Sequence, residues 1–107
     1  MNREEVLERL RLGLERVKVG WTQGRFFEVK NGVPCYCATG AISDPGGSPG
    51  TAFGCDAVYF RCVDAIVRTI GCSSIPTWND EAWRTQAEVV DLFVRTIARL
   101  ENEEVMA

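Results

Sequence analysis

The stretch T-Q-A-E-V-V-D-L-F-V-R-T-I-A-R-L, Thr85 to Leu100, decides the fold. It opens with a capping box. The Thr85 hydroxyl accepts from the Glu88 amide while the Glu88 carboxylate reaches back to the Thr85 amide. Losing such a cap costs about 1 kcal/mol. Val90, Phe93, Val94, Ile97 and Leu100 then recur at helical spacing and predict an apolar face. A helix over residues 86–101 with that stripe cannot bury it alone and needs partner elements.

The partners lie upstream. Asn2 and Glu5 form a capping-box-like start to a helix near residues 3–19. Val6, Leu10, Leu14 and Val17 share one face of it, widened by Leu7. Gly13 weakens its interior by about 1 kcal/mol relative to Ala and allows close packing. Gly20 is a stop, since glycine tolerates the left-handed conformation after a helix. A third helix, residues 57–70, follows Asp56 as N-cap, buries Tyr59, Cys62, Val63, Ile66 and Ile70, and ends at Gly71. Between the first two helices, Arg25–Val29 and Val33–Cys37 flank Lys30-Asn31-Gly32. Asn-Gly is a strong hairpin signal because both residues accept positive φ. Pro34 removes a ladder donor, which predicts a short hairpin at an edge.

Cys37 to Ser43 is rich in small residues and predicts a short helix. Asp44 to Gly50, D-P-G-G-S-P-G, predicts a surface loop. Cys72 to Arg84, interrupted by Pro76, reads as irregular. The fold class that follows is mostly α (α+β): a three-helix small domain with one short β-hairpin and a Gly/Pro-rich loop. With 107 residues and neither internal repeat nor linker, the reading is one globular domain, 1–107.

Composition removes several classes of function. Histidine is absent, which excludes Ser-His-Asp and Cys-His catalysis and His-ligated metal sites within this chain. Twelve Lys and Arg against fifteen Asp and Glu give a net charge of −3. Basic and acidic residues alternate, as in Arg9, Arg11, Glu15, Arg16 and Lys18, rather than forming the stripe that nucleic acid needs, so nucleic acid is not the expected partner. Glu101, Glu103 and Glu104 read as a solvated helix end. No run approaches 18 apolar residues, and Met1 to Arg11 does not resemble a signal peptide, so the expectation is no membrane association and a cytoplasmic location. Five cysteines, Cys35, Cys37, Cys55, Cys62 and Cys72, form an odd set without zinc-knuckle spacing. They are expected to be free thiols in a reducing compartment, with no cofactor or metal. Cys35 and Cys37, in C-x-C, are candidates for redox chemistry.

Four short motifs stand out: G-W at Gly20-Trp21, C-A-T-G-A-I at Cys37–Ile42, W-N-D at Trp78–Asp80, and R-T-Q-A-E-V at Arg84–Val89. In this order, over roughly Gly20 to Val94, the chain resembles a family of uncharacterised small proteins of actinobacteria and their phages. That resemblance implies no activity, cofactor or catalytic residue. Where its relatives continue a helix after C-A-x-G-A, this chain runs into Asp44-Pro45-Gly46-Gly47, which predicts a second helix cut short.

The candidate binding residues are Trp21, Gln23, Cys37, Trp78, Asn79, Asp80 and Arg84. A thiol at a helix N-terminus is made nucleophilic by the helix dipole, and Asn79 or Asp80 is suited to orient an amide or water. Against this, a carboxylate beside a thiol opposes its ionisation, and Cys37, Ala38, Gly40 and Ala41 are small enough simply to let elements approach. Trp78 reads as an apolar plug, and Asn79 and Asp80 as turn formers that bond nearby backbone. Alternatively, Trp21, Gln23, Asn79 and Asp80 line a small-molecule pocket between the hairpin and the W-N-D segment. Arg84 is positioned to pair with Asp80 or bind an anion.

Three functions fit these residues. The first is a non-enzymatic interaction module with a protein partner, phage-encoded and acting on a host protein. The second is a thiol-dependent enzyme using Cys37 with Asn79 and Asp80. The third is a small-ligand-binding domain. Trp21, Cys37 and Trp78-Asn79-Asp80 are expected to lie close together at one end of an antiparallel helix packing, as a pocket, a partner surface or a structural cluster that knits the domain.

Overall fold

The computed structural model describes residues 3–106, with side chains described through Glu103. The elements, in order, are α1 (Arg3–Val19), β1 (Phe27–Lys30), β2 (Val33–Tyr36), α2 (Ala38–Ala41), α3 (Ala57–Ile70), α4 (Ile75–Asn79) and α5 (Gln86–Met106). The expected α-rich class, the three long helices and the hairpin are all present. The Asn2 cap and the Glu104 side chain lie outside the described residues. Among the described residues, no helix is long and apolar enough to cross a membrane.

The long helices α1, α3 and α5 pack on one another. Leu10, Val17, Cys62, Ile66, Leu92 and Phe93 are fully buried in the shared core. Antiparallel pairing of α1 with α5 is tied at both ends. Gln86 Nε2 donates to the Val17 carbonyl at 2.7 Å, and Arg11 pairs with Glu101 at 3.2 Å. The latter pair is half-exposed and contributes at most about 1 kcal/mol. The capping box forms as expected: Glu88 Oε1 accepts from Thr85 N at 2.9 Å and Thr85 Oγ1 accepts from Glu88 N at 3.3 Å.

The buried face of α5 is rotated from the expected one. Val94 is 48% exposed, whereas Val89 and Leu92 are fully buried with Phe93. Two helices flank α5, so its covered arc is wider than, and displaced from, the single stripe a period reveals. Thr96 is buried on that arc, its hydroxyl paired with the Leu92 carbonyl and the Thr69 hydroxyl. Gly13 proves essential to the packing, because a Cβ there would lie 2.6 Å from Phe93 Cε1. Gly20 ends α1 for a different reason than expected. It is not left-handed; a Cβ would instead meet the Pro34 carbonyl oxygen at 2.4 Å.

β1 and β2 pair antiparallel, with Phe27 opposite Tyr36 and Val29 opposite Pro34. The turn is Asn31-Gly32, with φ of 51° and 76°. Cys37 N donates to Phe26 O at 3.2 Å, and alternation of bonded pairs places Pro34 in a non-bonded pair. Its missing N–H therefore faces away from β1 and costs no ladder bond. The segment after Gly20 is more than a connector. Tyr36 N donates to Gly20 O and Thr22 N to Tyr36 O, which lays Trp21 beside β2 in a parallel bridge.

The second helix is indeed short, four residues capped by Cys37. Its exposed-by-geometry carbonyls are satisfied from α1. Arg16 Nη1 donates to Ala41 O at 3.1 Å and Ser43 O at 3.0 Å, and Arg9 Nη1 donates to Ile42 O at 3.2 Å. The Arg9 fork also grips both Asp56 carboxylate oxygens, at 2.9 and 2.8 Å, while Asp56 caps α3 through Tyr59 N. One guanidinium thus joins α1, the end of α2 and the start of α3. Residues 72–84 contain α4 rather than being irregular throughout. Ser74 caps it, and Pro76 sits in its first turn, where a missing N–H is no loss.

Candidate functional site

Asn79 lies at the last residue of α4 and is fully buried. Its Oδ1 accepts from Trp21 Nε1 at 2.8 Å and from Ala38 N at 3.0 Å. Its Nδ2 donates to Thr22 O at 3.1 Å and to Asp80 Oδ1 at 2.9 Å. A carboxamide has two acceptor sites and two donors, so every one is taken. The segments meeting here are separated by 41 to 58 positions in sequence. The expected convergence of Trp21, Cys37 and Trp78-Asn79-Asp80 at one end of the bundle is therefore realised, with Asn79 at its centre.

The neighbouring candidates are similarly engaged. Gln23 Nε2 donates to Asn79 O at 3.0 Å and Glu81 O at 2.9 Å. Asp80 Oδ1 also accepts from Gly24 N at 3.0 Å. The Thr22 hydroxyl donates to Glu28, and that bond holds the Glu28 carboxyl below its ordinary range. Arg84 does not pair with Asp80. Its guanidinium stacks 3.7 Å above the Trp78 ring, its Nε donates to Trp78 O at 2.9 Å, and it reaches Glu88 at 3.2 Å and Glu81 at 4.0 Å. The stack over Trp78 and the carbonyl bond hold the guanidinium between α4 and the start of α5, leaving Asp80 to Asn79 and the Trp21–Gly24 segment.

Cys37 is 5% exposed. β2 ends at Tyr36, so Cys37 turns to cap α2: its Sγ accepts from Gly40 N at 3.3 Å and sits 3.2 Å from Thr39 Oγ1. The Asn79 side chain bonds the next backbone amide, Ala38, rather than the thiol. Gly40 is required by contact, because a Cβ there would fall 1.9 Å from Phe26 O. All five cysteines are free thiols. Burial pushes the Cys62 thiol up to about 12, and burial first, then Cys55, pushes Tyr59 up to about 12. Among the described residues, no three Cys, Asp or Glu side chains cluster in a way that could hold a metal ion.

A cavity of about 100 Å³ lies between the hairpin approach and α4, lined by Gly24, Arg25, Phe26, Cys37, Pro76 and Asp80. It is well below the roughly 300–1,000 Å³ usual for small-molecule sites. Arg25, Phe26 and Pro76 were not among the candidates. The position of Arg25 and Phe26 just before a hairpin is the only sequence signal that bears on them. Equally unread were Arg9 and Arg16, which look like members of an interleaved charged face until α2 lies across them.

Residues 1–99 match the model of a family of unknown function (DUF6197), and the chain belongs to that family. No curated protein and no solved structure matches the chain.

Proposed function

We propose that this protein is a non-enzymatic interaction module whose contact surface is the outer face of the hairpin. The observation that carries the reading is the apolar character of that face. The pairing register places Phe27, Val29, Pro34 and Tyr36 on one side of a two-stranded sheet. Phe27 is 38% and Val29 60% exposed, and Phe27 stacks on Tyr36 with ring centroids 5.0 Å apart. Cys35, on the opposite side, is buried. Clustered exposed aromatic and β-branched side chains mark contact surfaces more often than scattered ones do.

The saturation of Asn79 supports binding over thiol-dependent catalysis. A side chain with all four hydrogen-bonding positions occupied has none left for a substrate or water. The small cavity beside Cys37 likewise favours a surface function over a ligand pocket. The motif resemblance to actinobacterial and phage proteins supports a bacterial protein as partner, met in the cytoplasm, with a phage-encoded member acting on its host.

Capture from an actinobacterial lysate tests this. The wild-type chain is expected to retain a defined protein that a Phe27→Asp, Val29→Asp double variant loses, with both chains melting alike. Retention of the same protein by the double variant overturns the reading.

A further inference from the structure

At the opposite end of the bundle from Asn79, the start of α1, the outer face of α3 and the end of α5 enclose a groove of about 240 Å³. Its floor is apolar, made by Val6, Ala65 and Leu100. Its walls carry Arg3, Arg61 and Arg68. Arg68 also lines a narrow crevice alongside, together with Arg99. Among the described residues, these four arginines make no hydrogen bond or ion pair. Arg9, Arg11, Arg16, Arg84 and Arg95 all do. Arg25, beside the hairpin, is likewise without such a partner, so in a chain of net charge −3 four of the five unpaired guanidiniums among the described residues gather at one place.

Asp64 and Glu103 line the same groove. Asp64 lies between Arg61 and Arg68 on α3 at helical pairing distances, yet no ion pair within 4.0 Å forms. The guanidinium forks and the two carboxylates are therefore not taken up by one another.

We infer that this groove binds a small organic phosphate, a phosphate monoester carried on a compact apolar body. A guanidinium presents paired donors that match phosphate oxygens, and a dianion engages more than one fork where a carboxylate takes one. The apolar floor takes the body of the ligand, and Asp64 and Glu103 accept from any hydroxyl or amine on it. The groove volume suits a compact ligand rather than a drug-sized one. This site is separate from the hairpin face and does not depend on that reading.

The test is isothermal titration of the full chain at low ionic strength with phenyl phosphate and with inorganic phosphate. Phenyl phosphate is expected to bind saturably, about tenfold or more tighter than inorganic phosphate, because only it reaches the floor. Added salt is expected to weaken it. An Arg61→Ala, Arg68→Ala double variant is expected to lose about tenfold or more in affinity. Both residues are exposed, so the fold is retained, which circular dichroism checks. Arg25→Ala, an exposed arginine outside the groove, is expected to bind as wild type. Absence of saturable binding, equal affinity for inorganic phosphate, or an equal loss in Arg25→Ala each overturns the proposal.

Discussion

The indole Nε1 of Trp21 donates to Oδ1 of Asn79 at 2.8 Å, across 58 positions of sequence. That bond joins the segment leaving α1 to the end of α4, and the same oxygen holds the first amide of α2. A single carboxamide thus pins three segments at one end of the helix bundle.

Asn79→Ala is expected to destabilise the protein by about 3 kcal/mol, because it orphans buried partners on Trp21, Ala38 and Thr22 at once. Chemical denaturation reads this directly. A loss under about 0.5 kcal/mol, the range of an ordinary surface change, contradicts the structural role.

Gly40→Ala is expected to cost about 3 kcal/mol, since the new methyl meets the Phe26 carbonyl oxygen, which cannot withdraw without breaking its bond from Cys37 N. Gly46→Ala, where the nearest atom is an Asp44 carboxylate oxygen at 3.6 Å, is expected to be nearly neutral. Thermal melts of the two variants side by side give the comparison.

Acid stability is expected to depend on Asp56. The hydrogen-bonded Arg9 fork holds its carboxyl below the ordinary aspartate range, with Tyr59 N adding to the effect against the opposing cost of burial. A folded-state depression stabilises the native form fully above about pH 4, the unfolded value, and the benefit fades as pH falls through the folded value. Asp56→Asn keeps a good N-cap but removes the charge. Its stability is expected to fall below wild type near neutrality and to converge on it at low pH. A constant difference across the acid range contradicts the linkage.

Alkylation of the native protein near neutral pH is expected to label Cys55 and Cys72 first, since both are partly exposed, and Cys35, Cys37 and Cys62 slowly. Cys62 is the slowest, being fully buried with its thiol held up to about 12. Peptide mass spectrometry resolves the order. Rapid, selective labelling of Cys37 instead favours the thiol-dependent reading over the interaction module.

Sequence periodicity and capping chemistry alone determined the elements with local causes. Thr85 and Glu88 close a capping box within one turn, Asp56 caps α3 from three residues away, and Asn31-Gly32 turns the hairpin through its own backbone preferences. The W-N-D and C-A-T-G-A segments were visible as unusual, and antiparallel packing was enough to bring them together. Tertiary structure decided what each side chain does. Asn79 became a saturated staple, Arg84 turned to Trp78 and Glu88, and Arg9 and Arg16 left a charged helix face to serve the carbonyls of α2. The buried arc of α5 depended equally on two neighbours at once, which exposed Val94 and covered Val89. The division has one physical reason. Caps, turns and periods are set by interactions within a few residues, whereas the last hydrogen-bond partner of a buried polar group is chosen by whichever distant backbone the packing delivers.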